Sequence, residues 1–230
     1  MMSEFTKHVN NKFHKDGKAR EFLGNTVICP VPSHSPTMET LLKLRAAVLE
    51  EPWHKKMAML PPSSYHMTVF ELVCDQVRDA VHWTSLLPLG ATMQETDELF
   101  MEIWETLPAP PKFSICFDYL DIKDYITMRL KPSDNEANQI IRNYRDQLSK
   151  AFGLRSPNHE SYFFHISMAY AVRRLTNEDL ERAAGFVSDW KEKLEESLST
   201  IDLQPARLTF FNDMTHFAKK RGEARWNVAE

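Results

Sequence analysis

Two periods of apolar and polar residues alternate along this chain of 230 residues. Residues 25–31 (Asn-Thr-Val-Ile-Cys-Pro-Val) form an apolar run ended by Pro30 and Pro32, which predicts a strand. Ser35-Pro36 then opens a helix with proline near its first position and Leu41, Leu42, Leu44, Ala47 and Val48 as its apolar set. After the turn Pro61-Pro62-Ser63-Ser64, residues 65–73 predict a second strand. Residues 75–87 read as helix rather than extended chain. A further helix follows over 92–106, opened by the capping-box pattern Thr92-Met93-Gln94-Glu95 and ended by Pro108, Pro110 and Pro111. Residues 112–119 and 125–131 predict a hairpin. Ser133-Asp134-Asn135-Glu136 predicts a capped helix that carries Ala137, Ile140, Ile141, Tyr144 and Leu148 on one side, with Gly153 just past its end. A strand over 161–172, a helix capped at Thr176 and a last strand over 207–212 complete the order.

This order predicts an α+β protein. Two similar antiparallel-rich sheets form a central cleft, and helices pack on the outer faces. The expected organisation is an N-terminal extension over 1–21, a single bilobal domain over 22–212 with lobes meeting near 107–112, and a C-terminal tail over 213–230.

Composition narrows the chemistry. Hydrophobic residues make up 43% of the chain and charged residues 26%, as in ordinary globular proteins. The net charge of −4 lacks the basic excess of a duplex-DNA binder, although a nucleotide or RNA end needs only a local pocket. Six scattered glycines exclude a dinucleotide fingerprint and a P-loop. Three distant cysteines exclude a disulfide framework and a cysteine-based zinc site, which fits a reducing cytoplasm. The polar N-terminus carries no signal-peptide pattern, and no apolar run is long enough for a membrane span.

Nine histidines invite a metal reading, yet no H-E-x-x-H or close His-x-His pair occurs, and His159-Glu160 with His165 has the wrong spacing for ligands. The sequence therefore points to no metal and no cofactor. What stands out is His66-Met67-Thr68-Val69 in one half and His165-Ile166-Ser167-Met168 in the other. In a strand, residues i and i+2 share a face, so each segment offers an imidazole and a hydroxyl to one side and aliphatics to the other. H-x-S/T occurs four times, more often than chance places it among nine histidines. The copy at His82 lies where the pattern predicts helix, and the copy at His159 follows Pro157-Asn158 in an expected loop.

On these two motifs, with the hairpin segments Phe113-Ser114-Ile115-Cys116-Phe117 and Ile126-Thr127-Met128-Arg129-Leu130, the chain resembles the two-histidine (2H) phosphoesterase superfamily. That group includes the LigT-like RNA ligases and cyclic nucleotide phosphodiesterases. The resemblance spans about 22–212; the second motif has Ser where Thr is common and keeps the hydroxyl. It implies a metal-independent hydrolase acting on a phosphodiester, such as a 2′,3′-cyclic phosphate or a 2′–5′ linkage, on a nucleotide or in RNA processing. His66 and His165 would be the acid and base, in an order the sequence leaves open. Thr68 and Ser167 would hold phosphate oxygens.

Arg129 shares a strand face with Tyr125, Thr127 and Lys131, either neutralising phosphate or simply facing water. Phe70 and Phe163 share parity with the motif histidines, as base-stacking rings or as packing. The rival to the enzyme is a non-catalytic domain that binds a nucleotide or RNA end in the same cleft. No membrane or duplex-DNA partner is expected.

Overall fold

The computed structural model describes residues 3–223; residues 1–2 of the expected extension and 224–230 of the expected tail lie outside the described residues. In chain order the elements are β1 (Gly24–Pro30), α1 (Pro36–Glu50), β2 (Met57–Met59), β3 (His66–Cys74), α2 (Met93–Thr106), β4 (Ile115–Ile122), β5 (Tyr125–Pro132), α3 (Asn135–Phe152), β6 (His165–Ala171), α4 (Asn177–Ser197), β7 (Arg207–Asp213) and β8 (His216–Ala218). The fold is α+β, as the alternation of periods implies. The eight strands form one strongly curled antiparallel sheet in the order β4-β5-β6-β3-β1-β7-β8, with β2 on the far part of β6.

The halves of this sheet do not follow the chain on either side of 107–112. The C-terminal β7 pairs with β1, and β2 from the first half pairs with β6. The halves meet at β3 and β6, whose ladder consists of the single pair Met67–Ile166. Two strands joined at one pair splay on either side of it, and that splay opens a groove between the halves.

Met67, Val69, Ile166 and Met168 are fully buried, on the side where α3 lies against β3 and β5. The α3 stripe Ala137, Ile141, Tyr144, Leu148 and Phe152 packs down onto it. Its N-cap is Asp134, which accepts from the Ala137 N–H at 2.8 Å, and the Ser133 hydroxyl donates to the Asp134 carboxylate. The helix ends at Gly153 in the left-handed region (φ 59°); a Cβ there would meet Ser85 Oγ at 2.7 Å, so glycine serves both the turn and the close approach. Capping boxes form at Thr92/Glu95 and Thr176/Asp179, each of the kind that stabilises a helix by about 1 kcal/mol.

Two expectations fail. Residues 75–87 are not helical but run in successive turns. The Asp79 carboxylate takes the N–H groups of Val81 and His82 (2.9 Å each), and the Arg78 guanidinium donates to the carbonyls of Leu89 and Ala91 (2.8 and 2.7 Å). The Asp79 carboxylate closes a local turn, and Arg78 ties the segment to the loop that leads into α2. The terminal segments are also not appendages. Thr6 N–H bonds Val172 O (3.2 Å), Arg174 N–H bonds Glu4 O (2.9 Å), and Phe13 is buried against Tyr170. At the other end β8 extends the sheet, and the Arg221 guanidinium clasps Asp97 of α2.

Candidate active site

Around the Met67–Ile166 pair the antiparallel register sets His66 opposite Ser167 and Thr68 opposite His165. With Met67 and Ile166 turned into the core, the four polar side chains face the groove together, and all four line its floor. The constellation has an approximate two-fold relation: each strand gives one imidazole and one hydroxyl, in opposite directions.

Both rings are tethered alike. His66 Nδ1 lies 2.7 Å from Ser64 O, and His165 Nδ1 lies 2.9 Å from Phe163 O. A carbonyl oxygen only accepts, so each Nδ1 carries the hydrogen and donates it. That leaves the Nε2 lone pair of each ring as the free basic position. The tether on the first side comes from the tight turn Pro62–Ser64, which the Pro61-Pro62 pair enforces just before β3.

Burial pushes the His66 imidazolium down to about 4; the Ser64 carbonyl works against this shift, and the positive form of His165 adds to it. His165 is also lowered, first by burial and then by the cations Arg129 and Lys12. Both shifts favour the neutral imidazole. The Thr68 hydroxyl faces the buried Tyr162 hydroxyl, while the Ser167 hydroxyl makes no hydrogen bond among the described residues.

The other sequence-selected residues divide. Arg129 pairs across the ladder with His165. Its guanidinium sits 3.6 Å from Asp121 and 5.8 Å from the Phe163 ring centre, at the rim rather than in the groove lining. Phe163 is 69% exposed beside it, so its ring is open to a ligand. Phe70 is not: it is 2% exposed, edge-on to His159.

The cause is a β-bulge. Ile28 pairs with Thr68 and Val27 with Phe70, so Val69 is an extra residue that reverses the parity beyond it. Phe70 turns into the core, and Glu71 takes the groove side. His82 and His159 lie away from the groove. His82 sits 2.9 Å from Asp79 in the turn region, and the buried His159 sits 3.0 Å from Asp146. The one His/Asp/Glu cluster among the described residues with ligand-like proximity, Asp146–His159–Glu160, is occupied by the Arg155 guanidinium and includes neither groove histidine.

Several lining residues come from segments that carry no motif. Phe217 of β8 packs edge-on to His66 at 4.4 Å, Tyr162 lies 6.2 Å from the His165 ring, and Lys12 enters from the N-terminal segment. A signal for that segment exists in Phe5, Val9 and Phe13, spaced four apart in an otherwise polar stretch. No signal of comparable kind marks Glu71, because a bulge is set by pairing and not by local pattern.

A curled antiparallel sheet with paired H-x-T and H-x-S strands across a groove defines the two-histidine class. In agreement, the sequence pattern of one family, labelled 2H-phosphodiest and described as a domain of unknown function (DUF1868), matches residues 12–126, which include His66 and not His165. The chain belongs to this family. A solved structure, the conserved protein of unknown function ATU0111 from Agrobacterium tumefaciens, is similar to it over 94% of this chain and 92% of that one, with 29% identity and a TM-score of 0.89. No curated protein matches the chain. No helix among the described residues is long and apolar enough to cross a membrane.

Proposed function

We propose that the protein is a metal-independent phosphodiesterase that opens a 2′,3′-cyclic phosphate or a 2′–5′ phosphodiester on a nucleotide or RNA end. The supporting observation is the pair of Nδ1-tethered imidazoles on adjacent strands, each beside a hydroxyl. For a cyclic phosphate, one neutral histidine takes a proton from water at Nε2 as the water oxygen bonds to phosphorus. The other histidine, protonated, gives its Nε2 proton to the ribose oxygen as the P–O bond breaks. Thr68 and Ser167 donate to the non-bridging oxygens, whose charge grows in the pentacoordinate state. The anionic phosphate supplies the field that protonates the acid, offsetting the burial that disfavours an imidazolium there. Phe163 at the rim is placed to stack a base.

The test is hydrolysis of 2′,3′-cyclic AMP and a 2′–5′ dinucleotide, with a chelator present. Turnover that falls by at least ~10² in His66→Ala and in His165→Ala, with circular dichroism unchanged, is the expected result. Absence of wild-type turnover together with tight phosphate-dependent binding favours a binding domain. Activity lost to the chelator and restored by zinc contradicts the metal-independent mechanism.

A further inference from the structure

Lys12 carries a positive charge into the groove from a segment that the two motifs do not touch. Its backbone is fixed on both sides: its N–H bonds His8 O and its carbonyl accepts from Arg20 N–H, both at 2.9 Å. The neighbouring Phe13 is buried, and Thr6 and Phe22 are bonded to the ends of β6 and β7. The ammonium lies 4.9 Å from the Phe22 ring centre and 5.1 Å from that of Tyr170, and among the described residues it forms no ion pair. Glu71 lines the same groove and its charge bears on Lys12 without forming an ion pair.

Aromatic faces compensate a largely desolvated ammonium in part. A groove whose lining combines such a charge with two imidazoles and a free hydroxyl suits an anion. Arg129 is the contrasting case, since its guanidinium is held by Asp121 outside the lining.

We propose that Lys12 binds the substrate phosphate directly, so that the N-terminal segment is part of the active site and not an extension of the domain. This rests on the two-histidine reading for the location of the phosphate. Lys12 acts as a point charge on a non-bridging oxygen, from the His165 side of the groove, where its charge already lowers that imidazole.

The experiment is calorimetric titration of inorganic phosphate and adenosine 2′-monophosphate into wild-type, Lys12→Met, Lys12→Arg and Lys18→Met protein. Methionine keeps the stem that packs on the rings and removes the charge; Lys18 is an exposed lysine outside the groove and controls for net charge. The expected result is a loss of about tenfold or more in affinity for Lys12→Met. Lys12→Arg should lose much less and Lys18→Met nothing, and the wild-type advantage should shrink at high salt.

Equal affinity in wild type and Lys12→Met overturns the proposal. If Lys12→Met does not fold, the Lys12 side-chain NMR resonance in the wild-type chain decides: a phosphate-dependent shift supports the contact, and an unmoved resonance overturns it. Binding is read without turnover, so a chain that binds phosphate through Lys12 yet cleaves neither diester overturns only the proposed reaction. A chain that cleaves diesters with phosphate affinity independent of Lys12 overturns only this assignment.

Discussion

His66 and His165 occupy equivalent places on two strands, share one tautomer and share one kind of backbone tether, yet their surroundings differ. His66 lies against the Phe217 ring, and the other charge bearing on it is His165 itself. His165 lies near Tyr162 and pairs across the ladder with Arg129, and the charges of Arg129 and Lys12 bear on it. The local motif sets what each ring is; what surrounds it, drawn from distant and terminal segments, sets how each titrates. Near-symmetry of the two imidazoles combined with asymmetry of the field suits the proposed acid and base acting on one phosphorus.

The comparison is broken most severely by removing either ring. His66→Ala and His165→Ala should each lower kcat/KM by at least ~10², and the double variant should be little worse than either single one, because the two groups act in one step. Losses that multiply in the double variant would separate the rings into independent roles.

The hydroxyls come next. Thr68→Val and Ser167→Ala should each cost about 10- to 100-fold in kcat, measured at saturating substrate, as for other donors to a developing oxyanion. A change confined to KM would place them in ground-state binding.

The asymmetry itself is sharpened by pH. Arg129 lowers His165, so Arg129→Met should raise that imidazole and shift one limb of the pH profile of kcat/KM upward, by less than about one unit for a screened rim charge. The limb belonging to His66 should stay in place. Whichever limb that is, it lies below 6.5, since burial draws the His66 imidazolium down to about 4. Folding responds in the same sense. Unfolded His66 binds a proton near 6.5 and folded His66 near 4, so stability is intact above the first value and declines as pH falls toward the second. The smallest expected effect is His82→Ala, an H-x-T histidine in an exposed turn paired with Asp79, which should leave turnover within about twofold in the same assay.

The motif strands, the hairpin and the four capped helices were legible because each repeats a local rule over many residues. The β-bulge at Val69 was not: it depends on how β1 pairs with β3, and it moved Phe70 out of the site and Glu71 into it. Residues 75–87 misled because their apolar spacing suits a helix, whereas Asp79 and Arg78 bond the backbone in turns. Lys12 and Phe217 reach the groove from segments without motifs, by contacts that only the folded sheet creates. Parity along a strand thus places a side chain reliably up to the first irregularity, and the second wall of a groove is seldom written beside the first.

The most direct measurement is a crystal structure with a nucleoside 2′-monophosphate bound. The expected result places one phosphate group between the strands, with oxygens about 2.6–3.2 Å from both His66 Nε2 and His165 Nε2. A phosphate lodged elsewhere, or reached by one ring alone, contradicts the two-histidine mechanism.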